Sequence, residues 1–171
     1  MDHLLDEIEQ AVSQRLWLLA VTGALLVPDV AAALRHPSGQ TTRARYKAWW
    51  SDSGLGVAYD GYLSPEDAYR YRCSLTHQAS GLHPDAESGR VLFMPPGPVT
   101  VHKISMGKIG PRQTNAVALD IAAFVADVVG VARGWLNANA ADPIVTRNLE
   151  ASVRLHPQGL TPFIVGVPVV G

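Results

Sequence analysis

The chain has 171 residues, 47% of them hydrophobic, and a formal net charge of −1 from 14 Lys+Arg against 15 Asp+Glu. That length and apolar content suit one domain, 1–171, with a sizeable core, and exclude general disorder. The balanced charge supplies no overall field for nucleic acid, so any RNA contact must come from a local patch.

Cys73 is the only cysteine. That excludes an intrachain disulfide framework and a cysteine-rich zinc site, and fits a reducing, cytoplasmic setting. The acidic start Met1-Asp2-His3-Leu4-Leu5-Asp6-Glu7 lacks the basic region of a secretory signal, so export is not expected.

From Asp2 to Ala24, apolar residues at Leu4, Leu5, Ile8, Val12, Leu16, Leu19 and Ala20 recur at three- and four-residue steps, which predicts a first helix. Pro28 suits the first turn of a short second helix ending near Leu34, before His36-Pro37-Ser38-Gly39. Thr41 or Thr42 can cap a third helix through Trp50. Ser64-Pro65-Glu66-Asp67 combines a capping serine, a proline at the first position and an acid at the third, and predicts a helix to about Gln78.

The pattern changes after Gly89. Val91 to Met94 and Val99 to Ile104, separated by Pro95-Pro96-Gly97-Pro98, predict a β-hairpin near 90–105. Thr114 to Leu136 reads as the longest helix, apolar around most of its girth. A membrane span there would place Asp120 and Asp127 in lipid at about 2.5–3.5 kcal/mol each, so it is read as a buried helix. Asp142-Pro143 starts a last helix to about Leu155, and Thr161 to Gly171 is expected to pack as an extended tail. The resulting fold class is mainly α, a bundle of about five to six helices with a β-hairpin insertion.

One stretch carries chemistry: Tyr69-Arg70-Tyr71-Arg72-Cys73-Ser74-Leu75-Thr76-His77-Gln78. An arginine fork matches phosphate, and histidine titrates nearest neutrality, so the pair suffices for transesterification of a phosphodiester without metal. On an ideal helix Arg70 and His77 nearly eclipse each other, whereas Arg72 and His77 point about 140° apart. Ala68, Arg72, Leu75 and Ala79 share a stripe, which aims Arg72 at the core or at a partner subunit.

The spacing Arg-x4-His from Arg72 to His77 resembles the Arg-x4-6-His signature of the HEPN superfamily. That resemblance implies an all-helical, usually dimeric fold and, in many members, a ribonuclease of toxin or phage-defence systems. It selects Arg72 and His77 as catalytic: His77 as acid or base for attack of an RNA 2′-hydroxyl on the adjacent phosphate, Arg72 as stabiliser of the growing phosphoryl charge. It further implies a composite site between two motif helices, RNA as substrate and, for a toxin, a cognate antitoxin. Cys73 departs from the family, in which the residue after the arginine is often Asn.

Other readings of the same residues stand beside this one. Arg72 and His77 also suit a structural pair in a non-catalytic helical interaction protein, with His77 near a helix C-terminus. Cys73 and His77, four residues apart, have the spacing of a thiolate–imidazole pair, although a lone helical cysteine is more often a small core residue. Arg43-Ala44-Arg45-Tyr46-Lys47-Ala48-Trp49-Trp50 interleaves cations and aromatics. Arg43, Lys47 and Trp50 share a face and, with Arg70, form the candidate RNA-binding set; an amphipathic helix with its tryptophans inside gives the same pattern. His3, His36, His83, His102 and His156 lack ligand spacing, and Glu66, Asp67, Asp120 and Asp127 form no metal motif, so no metal or cofactor is expected.

Overall fold

A computed structural model of the chain describes residues 1–80, 89–109 and 114–171. The molecule is mainly helical, with seven helices and a small sheet among the described residues. His83 and Gly81 lie outside them.

The helix expected over 2–24 is two helices, α1 (Asp2–Ser13) and α2 (Trp17–Leu34). Between them Arg15 takes a left-handed φ of 60°. The N–H groups of Arg15 and Leu16 donate back to the carbonyls of Val12 and Ala11 at 3.0 and 2.8 Å. The break has a packing reason: it folds the stripe of Leu5 and Ile8 onto α2, where both are buried. Gly23 permits the approach, since a Cβ there would lie 2.6 Å from Ile8 Cγ1.

Pro28 does not open a second helix but sits inside α2. A helical proline cannot donate to the carbonyl one turn back and crowds it, loosening that turn. In this turn the buried Tyr46 hydroxyl donates to the Leu25 carbonyl at 3.1 Å. Asp29 follows the proline directly and is buried.

The next helices follow their capping signals. In α3 (Arg43–Asp52) the Thr42 hydroxyl accepts the Arg45 N–H at 3.3 Å, and in α5 (Pro65–Gln78) Ser64 accepts the Asp67 N–H at 3.1 Å. A one-turn α4 (Leu55–Ala58) joins them. Ala79 closes α5 in the left-handed region at φ 48°.

The predicted hairpin near 90–105 is corrected by the pairing. The strands β1 (Arg90–Met94) and β2 (Ile104–Ile109) do not pair with each other; both pair with β3 (Thr114–Asp120), β1 parallel and β2 antiparallel. The helix expected over 114–136 therefore loses its first seven residues to a central strand, and α6 runs Ile121–Ala138. The switch occurs at Asp120, whose carboxylate accepts the Ala123 N–H at 2.8 Å and caps α6.

The last helix, α7 (Pro143–Glu150), ends short of the expected Leu155. The tail then forms two ribbons: β4 (Leu155–His156) with β7 (Val169–Val170), and β5 (Gly159–Leu160) with β6 (Ile164–Val165). It is extended as expected, but much of it is not packed: Phe163 is 81% exposed.

Helix α2 is the hub and packs against α1, α3, α5, α6 and α7. The core it joins includes Tyr46, Trp50, Tyr71, Phe124 and Val128. By length and composition α2 and α6 could each cross a membrane; here 56% and 39% of those segments are buried inside the protein.

Replacing Asp120 with Ala removes the α6 cap and is expected to cost about 1 kcal/mol in urea denaturation, while Asp120→Asn, which can still accept the Ala123 N–H, should cost a few tenths.

Candidate functional site

The motif lies on α5, as the capping signal predicts, and α5 packs against α2 and α3. Arg72 projects toward α2, where its Nε donates to Asp29 Oδ2 at 2.5 Å. The two side chains are only 20% and 9% exposed, which makes this a largely enclosed ion pair. Burial pushes the Asp29 carboxyl above its ordinary value, and the Arg72 charge opposes the push. Burial likewise works against the Arg72 charge; Asp29 and Cys73 outweigh it and raise the guanidinium further.

One edge of the guanidinium remains less committed. Its Nη1 lies 3.6 Å from Cys73 Sγ, and Nη2 makes no hydrogen bond among the described residues. Its carbon lies 5.8 Å from the Tyr69 ring centroid, and Arg43 stands 5.7 Å from the same centroid. Tyr69 thus bridges Arg72 to the cations of α3.

His77 occupies the exposed last turn of α5. No hydrogen bond joins it to Arg72, and the helix directs the two side chains about 140° apart. One copy of the chain therefore does not bring Arg72 and His77 onto one phosphate. Cys73 is half-buried and its thiol lies against Arg72; no hydrogen bond joins it to His77.

Three of the four candidate RNA-binding residues come together. The Arg43 guanidinium and Lys47 Nζ both meet the Glu66 carboxylate, Lys47 at 2.8 Å, and Arg70 Nε approaches the same group at 3.3 Å. Arg70 also reaches Asp67 at 3.4 Å. Trp50 does not belong to this patch, contrary to the reading of its helix face. It is fully buried, stacked on Tyr46 at 6.5 Å, because α3 turns its tryptophans inward and its cations outward.

A second cluster joins residues far apart in sequence. The Tyr59 hydroxyl donates to Asp127 Oδ2 at 2.9 Å, Lys103 Nζ lies 3.4 Å from the same oxygen, and His102 Nε2 is 3.9 Å away. Lys103 Nζ sits 4.3 Å from the Tyr59 ring centroid. That contact and the ion pair offset the left-handed φ of 56° at Lys103, a conformation costing about 1–2 kcal/mol outside glycine. His102 Nδ1 accepts the Asp120 N–H at 3.2 Å, which assigns the neutral ring's proton to Nε2, a buried atom with no hydrogen-bond partner among the described residues. Tyr59 is held as a proton donor, its pKa raised first by burial and then by Asp127. The cluster is a weld between α4, the approach to β2 and the middle of α6. No linear spacing announces it, since its members span 59 to 127.

Among the described residues no group of three or more His, Cys, Asp or Glu is arranged to hold a metal ion. No family model, curated protein or solved structure matches this chain.

The His102 ring is held below its ordinary pKa of 6.5, first by burial and then by the Lys103 charge, with Asp127 and Asp120 opposing. A ring that is harder to protonate folded than unfolded stabilises the protein above the unfolded pKa, and that stability is lost as pH falls through the folded value. Between about pH 7.5 and about pH 5 the wild type should therefore lose more stability than His102→Asn, whose amide oxygen can still accept the Asp120 N–H, as read from paired urea midpoints.

Proposed function

We propose that the chain is a HEPN-like, metal-independent endoribonuclease of toxin or phage-defence type, acting as a homodimer, with Arg72 and His77 as its catalytic pair. The observation that carries this reading is the state of Arg72. Asp29 grips it through Nε and, among the described residues, Nη2 makes no hydrogen bond, on the same helix whose exposed last turn presents His77. A carboxylate on Nε orients a guanidinium without consuming the terminal nitrogens that would receive a phosphate. Asp29 is then a positioning residue.

The angular separation of Arg72 and His77 on α5 fits a composite site. With two α5 helices across a two-fold axis, Arg72 of one copy and His77 of the other can flank one phosphodiester. His77 takes the proton of the 2′-hydroxyl, the 2′-oxygen bonds to phosphorus, and the bond to the 5′-oxygen breaks as the protonated His77 gives its proton to the leaving oxygen. Arg72 stabilises the charge on the nonbridging oxygens. The products are a 2′,3′-cyclic phosphate and a 5′-hydroxyl, and DNA, lacking the nucleophile, is not cut. Arg43, Lys47 and Arg70 supply the adjacent backbone-binding patch once phosphate competes for the cations on Glu66. If the nuclease is a toxin, a cognate protein antitoxin is its expected partner.

The ion pair also favours a second reading, in which the protein is a non-catalytic helical interaction module. A buried carboxylate directly after a helical proline needs a cation, and Arg72 supplies it while tying α5 to α2. On that reading the pair holds the fold and His77 only complements the C-terminus of α5.

The two readings differ in what His77→Ala does. On the nuclease reading the purified wild type cleaves single-stranded RNA in excess EDTA and leaves 2′,3′-cyclic ends, and His77→Ala abolishes cleavage while changing stability by no more than about 1 kcal/mol, the ordinary range for an exposed site. Arg72→Ala should abolish cleavage too and cost about 2 kcal/mol or more by leaving Asp29 unpaired. Full activity in a folded His77→Ala protein, or RNA left intact by the wild type, favours the interaction module.

A further inference from the structure

A small cavity of about 160 Å³ lies between the end of α2 and the side of α3 opposite Arg43. Arg35 and His36 line it from the end of α2, and Arg45, Trp49 and Asp52 line it from α3. On a helix those three stand about 180–240° around from Arg43, so the cavity is separate from the Glu66 patch. Its volume is well below the roughly 300–1,000 Å³ of a drug-sized pocket and suits a compact ligand.

Arg35, Arg45, His36 and Trp49 all bring N–H donors to this lining, and little of that capacity is used. Arg45 commits only Nη1, which donates to the Gln40 carbonyl at 2.8 Å. Arg35 makes no side-chain hydrogen bond or ion pair among the described residues. His36 Nδ1 accepts the Ser38 N–H at 3.2 Å, which places the ring's proton on Nε2 and leaves that atom a donor in either charge state. Trp49 is 5% exposed, and its Nε1 is buried with no hydrogen-bond partner among the described residues. A buried N–H costs stability until it finds an acceptor. Asp52 shares the space with both arginines yet pairs with neither, so opposite charges line one cavity without meeting across it. Nor are Arg35 and His36 needed to finish α2. Asn148 Nδ2, from α7, already donates to the Leu34 and His36 carbonyls at 2.9 and 2.8 Å.

We infer that this cavity binds inorganic hydrogen phosphate. The Arg35 and Arg45 guanidiniums, His36 Nε2–H and Trp49 Nε1–H donate to the unprotonated oxygens, and the Asp52 carboxylate accepts the hydrogen of the P–OH group. A ligand carboxylate offers acceptors in one plane only, whereas donors arriving from two helices suit a tetrahedral ion. Asp52 sets the specificity. Sulfate has the same shape but carries no proton at neutral pH, so Asp52 opposes it as a like charge without a hydrogen bond in return. The bound ion ties the end of α2 to α3. The inference does not rest on the nuclease reading.

Calorimetric titration of the full chain with potassium phosphate near neutral pH, at fixed ionic strength, tests it. The wild type should take up one phosphate per chain, and phosphate should raise its melting temperature by mass action. Arg35→Gln and Arg45→Gln should each weaken binding about tenfold or more while folding normally by circular dichroism, the loss expected for one charged donor. Sulfate should bind the wild type about tenfold more weakly or worse, and Asp52→Asn, whose amide can also donate, should narrow that gap. His77→Ala should keep full phosphate affinity, which separates this site from the proposed nuclease centre. No binding at about 10 mM phosphate, unchanged affinity in a folded Arg35→Gln protein, or sulfate held as tightly as phosphate by the wild type would overturn the proposal. So would loss of binding in Arg43→Gln with Arg35→Gln unaffected, since the anion would then sit on the Glu66 patch.

Discussion

A carboxylate buried one residue after a helical proline sets the terms for the middle of this protein. Asp29 sits on α2, the helix against which five others pack, and its burial would be costly without a cation in reach. Arg72 is that cation, and meeting Asp29 fixes how α5 lies on α2. Pro28 lies in the same turn, and the Tyr46 hydroxyl from α3 donates to the Leu25 carbonyl just before it. The α2–α3–α5 face is thus held by the Asp29–Arg72 pair, the pairs of Arg43 and Lys47 with Glu66 and one buried hydrogen bond, set in an aromatic layer of Tyr46, Trp50 and Tyr69.

The opposite side of α2 is organised by Asp120 and α6. The strand-to-helix switch at Asp120 makes β3 and α6 one continuous unit, which carries the sheet directly onto the core. His102 reads that switch by accepting the Asp120 N–H, and its neighbours Lys103 and Tyr59 tie to Asp127 two turns along α6. Arg133, on the same helix, reaches Asp6 and Glu9 of α1 at 2.8 and 2.6 Å. Charges at the periphery of α6 thus hold helices whose apolar faces meet at its centre.

Much of the helical architecture is legible in the chain. The starts of α3, α5 and α7 follow from Thr42, Ser64-Pro65 and Asp142-Pro143, because a side-chain oxygen that satisfies a free N–H is a local event needing no other part of the protein. The motif's place on a helix follows from the same signal, as does the separation of Arg72 from His77 around that helix. Where the reading failed, the apolar pattern was ambiguous: Thr114 to Leu119 is equally compatible with a buried strand and a buried helix, and only pairing with β1 and β2 selects the strand. The break at Arg15 was hidden for a similar reason. The helical period continues across it, and what ends α1 is the gain from folding its apolar stripe onto α2.

For the candidate site, the sequence by itself determined the residue types, their order along α5 and the sharing of a face by Arg43 and Lys47. It did not determine partners. That Arg72 belongs to Asp29, that Glu66 gathers Arg43, Lys47 and Arg70, that Trp50 is enclosed, and that Tyr59, His102, Lys103 and Asp127 meet were decided only in three dimensions. The physical reason is common to all four: capping and helical spacing act within one or two turns, whereas charge pairing and burial depend on which helices the core brings face to face.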